Sequence, residues 1–147
     1  MRRIRRILHA SDFSPASRPA FRKAVELAKS ERATLLVLHV LNLVPPFIGE
    51  GYMPPKVWDE IMEGQRRAAK TQLDRRVAVA RRAGAHVKGL LVFGSPYHDI
   101  ARAARRQRAD LLVMGTHGRT GLTKALLGSV AERALRTSPC PVLTVRG

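Results

Sequence analysis

Leu111-Leu112-Val113-Met114-Gly115 is apolar without interruption and opens directly into Thr116-His117-Gly118-Arg119-Thr120-Gly121. Leu35-Leu36-Val37-Leu38 has the same unbroken character. A strand with one wet face alternates apolar and polar residues. One that is apolar at successive positions is covered on both faces, which points to a parallel sheet between layers of helix. Around these two runs, Ala33–Leu41 and Asp110–Gly115, stand three more of similar length: Ile4–Ala10, Val87–Phe93 and Pro141–Val145. Five strands are expected.

The segments between the runs read as helices. Ser14-Pro15 and Ser95-Pro96 each set a hydroxyl residue before a proline, the pattern of an N-cap and first helical position. Phe21, Ala24, Val25 and Ala28 then recur at helical spacing, as do Ile100, Ala101 and Ala104. A longer helix is expected from Lys56 to Ala83, stopped by Gly84, and a last one from about Ser129 to Arg136, before Ser138-Pro139. Strict alternation of strand and helix gives an α/β fold, an open five-stranded parallel sheet with helices on both faces. In such sheets ligands sit beyond the carboxyl ends of the strands, where the strand order reverses. Those ends fall near Asp12, Val40, Phe93 and Gly115.

The chain has 147 residues, 45% of them hydrophobic and 26% charged, which suits one domain over residues 1–147 and excludes a disordered chain. No apolar run approaches the roughly 20 residues that cross a bilayer. The opening Met1-Arg-Arg-Ile-Arg-Arg is basic, but Ile7–Asp12 is too short for the apolar core of an export signal, so a cytoplasmic location is expected. The single cysteine, Cys140, excludes an internal disulfide and a cysteine-based zinc site, and is read as a buried structural thiol. Against 11 acidic residues stand 27 Lys and Arg, a net charge of +16. So basic a domain should meet anionic partners.

The segment Met114–Val130 leaves a strand, crosses a glycine-rich loop and enters a helix. Glycines let backbone N–H groups come close to phosphate, and a helix amino terminus adds positive potential. Arg119 and Lys124 can neutralise phosphate charge, and Gly128-Ser129 offers helix-end donors and a hydroxyl. The spacing matches neither a Walker A loop nor G-x-G-x-x-G. A ligand-free turn is the competing reading.

Gly115-x2-Gly118-x9-Gly128-Ser129 resembles the G-x2-G-x9-G-[ST] motif of the ATP-binding universal stress proteins. Ser11-Asp12-Phe13-Ser14 and the ending Ser-Pro-Cys-Pro-Val-Leu-Thr-Val-Arg are similar to that family as well, so the likeness covers essentially the whole chain. The resemblance implies a Rossmann-like fold of the adenine nucleotide alpha-hydrolase type. It implies that Asp12 sits by the adenosine, that the Val40 backbone meets the adenine, and that Met114 and Gly115 line the pocket near base and ribose. Gly118, Gly128, Ser129 and Val130 would hold the phosphates, with Mg²⁺ or Mn²⁺ carried by phosphate oxygens; Arg119 joins the nucleotide-binding candidates on its charge. It also implies a homodimer through the last strand, Pro141–Val145. Ala10 stands where the family often has proline or a bulkier residue, and a charge of +16 is unusual for it.

Other residues read more plainly. Asp12 also suits a turn ahead of Ser14-Pro15, and Ser129 an N-cap. His117 is expected in an exposed loop, His9 and His39 in the core with backbone partners, His86 and His98 at the surface. Trp58, Ile61 and Met62 are expected to pack in the core. No histidine pair has zinc spacing, and no general base stands out for phosphoryl transfer, so binding with slow or absent hydrolysis is expected. A slow ATPase and a nucleic-acid-binding module are the alternatives. The arginine clusters read as a solvated surface with weak, non-specific polyanion binding, since only 5% of residues are aromatic and base stacking needs aromatics. Nucleotide is expected to order the Arg119–Ala125 and Asn42–Pro55 loops together.

Overall fold

The strands alternate their side chains between two helix layers, and this alternation builds the molecule. In the computed structural model, which describes residues 2–42, 51, 53–117 and 127–147, the strands are β1 (Arg6–Ala10), β2 (Thr34–Leu41), β3 (His86–Phe93), β4 (Leu111–Gly115) and β5 (Val142–Val145). The helices are α1 (Arg18–Glu31), α2 (Pro55–Arg82), α3 (Pro96–Arg106) and α4 (Ser129–Thr137). All pairings are parallel, in the order β3-β2-β1-β4-β5.

Ile7, Leu35 and Val37 face one layer, where they meet Phe21 and Ala24 of α1 and Leu73 and Val77 of α2. Their neighbours Leu8, Leu36 and Leu38 face the other, against Ile100 and Ala103 of α3 and Ala131 and Ala134 of α4. Each central strand is thus buried on both sides, which is why it carries no polar alternation. Ile7, Leu8, Leu35, Leu38 and Leu112 are fully excluded from solvent.

Several local expectations change. The first strand starts at Arg6 rather than Ile4, and the first helix is divided, with a 3₁₀ turn at Pro15–Ser17 preceding α1. Neither Ser14 nor Ser95 caps its helix with its hydroxyl. At α3 the Asp99 carboxylate reaches back to the cap residue itself, accepting the Ser95 N–H at 2.8 Å. Ser129 is the first residue of α4, and Gly128 precedes it as the cap. Trp58, Ile61 and Met62 are half-buried and belong to neither core cluster, because the buried positions of α2 begin at Ala69. Cys140 is half-buried too, packed at the edge of the second cluster beside Ser138.

Candidate functional site

Parallel strands share one carboxyl rim, and the order along that rim reverses between β1 and β4, where a crevice must form. A cleft of about 270 Å³ opens there. Its floor is made by strand ends: Ala10 of β1 with Ser11 and Asp12 after it, Leu38, His39 and Val40 of β2, and Met114 and Gly115 of β4 with Thr116 after them. Pro96, Tyr97 and Ile100 from the start of α3 form one wall, and Gly128 to Ala131 from the start of α4 another.

The loop after β1 is shaped by its own polar groups. Phe13 adopts a left-handed backbone, φ 62°, which turns the chain towards α1. The Asp12 Oδ1 accepts the Ser14 N–H at 2.9 Å, and the Ser11 hydroxyl accepts the Phe13 N–H at 3.1 Å. The turn reading of Asp12 therefore holds, and the same residue lines the cleft. Phe13 stacks on His39 with ring centroids 4.2 Å apart, and His39 Nδ1 lies 2.8 Å from the Ser11 carbonyl. The loop after β1 is thus tied to β2 at the cleft's floor.

The other side is set by how closely α4 approaches β4. The Gly128 N–H donates to the Thr116 carbonyl at 2.6 Å, and a Cβ on Gly128 would lie only 2.8 Å from that oxygen. Only glycine admits this contact. It brings the amino terminus of α4, whose first N–H groups have no partner within the helix and whose dipole end is positive, to the mouth of the cleft. Tyr97 Oη and Ser129 Oγ are 2.9 Å apart, linking the starts of α3 and α4. Chemically, the site joins an apolar slot under Leu38, Val40, Met114 and Ile100 to an end that favours an anion.

Of the residues singled out in the sequence, Asp12, Val40, Met114, Gly115, Gly128, Ser129 and Val130 line this one cleft. Gly118, Arg119 and Lys124 lie outside the described residues, as do most of Asn42–Pro55 and Arg119–Ala125. Tyr97 was not legible as a site residue, although Ser95-Pro96 marks a helix start at the same rim. His117 is half-buried rather than exposed, lines the cleft, and has its Nδ1 2.9 Å from Thr116 Oγ1. His9 has its expected backbone partner, with Nδ1 3.0 Å from the Val113 carbonyl, and His86 and His98 are exposed.

Residues 3–146 match the family model described as "Universal stress protein family". A universal stress protein of Methanocaldococcus jannaschii is 34% identical over 143 residues, 97% of this chain and 82% of its own. Among solved structures, the universal stress protein UspA from Lactobacillus plantarum superposes with a TM-score of 0.82 at 26% identity, covering 99% of this chain and 100% of its own. A universal stress protein in complex with cAMP gives 0.71 at 25% identity, with 99% and 98% covered. One from Archaeoglobus fulgidus in complex with dAMP gives 0.68 at 25%, with 99% and 100% covered. With a family match along nearly its whole length and a cleft where the fold requires one, this chain belongs to the universal stress protein family.

Proposed function

We propose that this protein binds ATP in the cleft between β1 and β4 and acts as a nucleotide-dependent stress-response and signalling module. The observation that carries the reading is the convergence on one cleft of apolar strand ends with the amino terminus of α4. Two structural relatives hold adenine nucleotides, cAMP and dAMP, which supports the same ligand class here. In this reading the adenine lies against the Val40 backbone, Asp12 takes the adenosine, and Met114 and Gly115 border base and ribose. Gly118, Arg119, Gly128, Ser129 and Val130 receive the phosphates.

The donor set also fits a phosphate-borne Mg²⁺ or Mn²⁺. Among the described residues no group of three His, Cys, Asp or Glu could hold a metal, and Asp12 is the only carboxylate among those lining the cleft. Hard divalent ions prefer oxygen ligands, which the phosphates would supply. A homodimer through β5 is part of the proposal, supported by the place of β5 at the sheet edge with Leu143 37% exposed.

The test is to denature freshly purified protein and identify what it releases by chromatography. Near-stoichiometric ATP is expected, and ADP beside it would favour slow hydrolysis. Protein that is empty, and that takes up neither ATP nor AMP nor cAMP in calorimetry with magnesium, would overturn the reading.

A further inference from the structure

In this topology the strands begin and the helices end at one edge of the sheet, opposite the cleft. The arginines gather there. Arg2, Arg3, Arg5 and Arg6 lead into β1 and are exposed. Arg81 and Arg82 close α2, and Arg105 and Arg106 close α3. The acidic residues of the same edge are Glu31 and Asp110. Asp110 is already committed: it accepts the Arg5 and Arg6 backbone N–H groups at 2.9 and 3.0 Å and lies 3.5 Å from Arg2 Nε.

The edge is continuous. Arg6 pairs with Thr34, which pairs with His86, and the Asp110 N–H bonds the Arg6 carbonyl. From β3 to β4 this is three strand spacings, about 14 Å.

Cations at helix carboxyl ends complement the helix dipole, and that alone would explain some of this charge. It does not explain the turns. Three helices on this edge end in the same way. After α2, Gly84 bonds Arg81 and Ala85 bonds Ala80, with Gly84 at φ 95°. After α1, Arg32 bonds Lys29 and Ala33 bonds Ala28; after α3, Arg108 bonds Arg105 and Ala109 bonds Ala104. Arg32 and Arg108 stand at φ 53° and 51°. This left-handed position is the one glycine fills without strain, as it does after α2. Two arginines occupy it on either side of the β1 arginines, both exposed and neither in an ion pair among the described residues. A local rule broken twice, at one edge, for the same side chain marks a use for that side chain.

We propose that this arginine edge is a docking surface for the phosphate backbone of double-stranded nucleic acid, read without regard to sequence. A duplex carries one charge per roughly 1.7 Å of axis, so it offers a dense row of phosphates over the width of this edge. Guanidinium forks bind phosphate in pairs of hydrogen bonds, and 21 of the 27 basic residues are arginine. None of the described aromatic residues lies at this edge, which disfavours stacked single strands and an interfacial membrane anchor.

The test is fluorescence anisotropy of the full chain with a labelled random-sequence duplex between 50 and 200 mM salt. Arg32→Gly/Arg108→Gly should weaken binding several-fold and flatten the log–log salt slope by about two, one per lost contact. Its melting temperature should hold or rise, because glycine relieves both turns. Arg3→Gln/Arg5→Gln should weaken binding likewise, without touching a turn. Arg18→Gln/Arg22→Gln removes equal charge at the far end of the sheet and should leave affinity within twofold. Equal loss in all three pairs would reduce the effect to net charge and overturn the proposal. So would the absence of duplex binding at 50 mM salt, or tighter binding to anionic phospholipid vesicles than to the duplex.

Discussion

His9 lies wholly buried in β1, with its Nδ1 against the Val113 carbonyl and its Nε2 without a hydrogen-bond partner. That pattern requires a neutral ring with its proton on Nδ1. Burial drives its pKa down from 6.5 to about 4, and the nearby charge of Arg76, set over the Phe21 ring that tilts against His9, pushes the same way. The unfolded chain therefore binds a proton between pH 6.5 and 4 that the folded chain refuses. Stability must fall as pH drops through that window, by up to about 3 kcal/mol from this group alone. Urea unfolding at stepwise pH should show the decline in the wild type and a shallower one in His9→Gln, whose amide can keep the Val113 contact. A ring that titrates near 6.5 by NMR in the folded protein would overturn this account.

At the scale of elements, the carboxyl rim depends on two glycines of the motif in different ways. A Cβ on Gly128 would collide with the Thr116 carbonyl at 2.8 Å, whereas one on Gly115 would meet Ala16 and His117 carbonyls at 3.4 Å, an ordinary contact. Gly128→Ala should force the start of α4 away from β4, costing about 1–3 kcal/mol and most of the nucleotide affinity. Gly115→Ala should melt close to wild type. Thermal melts with calorimetric ATP titration would check both, and equal melting temperatures would sink the distinction. The same rim shows what a sequence can and cannot say. Leu111–Met114 announces a buried strand because both its faces are apolar, and the order of strands and helices then fixes where a cleft can open. The Ser95-Pro96 pair marks the start of α3 and its cap position correctly, but the hydroxyl makes no cap bond; the side chain that bonds there is the Asp99 carboxylate four residues on, which holds the Ser95 N–H. Tyr97 lines the cleft and meets Ser129 across it, a meeting of two helices that local pattern does not encode. Gly128 carries a motif position in the sequence, but the oxygen that excludes a side chain there comes from Thr116 across the turn.

For the whole molecule, the distribution of charge matters more than the presence of ion pairs. Those between described residues have at least one exposed partner and are each worth little. Eleven acidic residues cannot offset 27 basic ones, and the excess of +16 repels itself in the folded state more than in the expanded chain. A domain of this length has a radius of gyration of about 15 Å. The screening length is about 30 Å at 10 mM salt, so every cation there feels every other; near 1 M it is about 3 Å, and only neighbours interact. The melting temperature of the nucleotide-free protein should therefore rise by several degrees between 10 mM and 0.5 M sodium chloride, while duplex binding weakens over the same range. Chloride rather than sulfate is the salt to use, because sulfate also strengthens apolar burial. The variants of the arginine edge sharpen the expectation. Arg32→Gly/Arg108→Gly lowers the charge by two where it is densest and should melt higher than wild type at 10 mM, with the gap narrowing as salt is added. A wild-type melting temperature that falls with salt would mean that the ion pairs outweigh the repulsion, and that the arginine edge carries less unbalanced field than its composition demands.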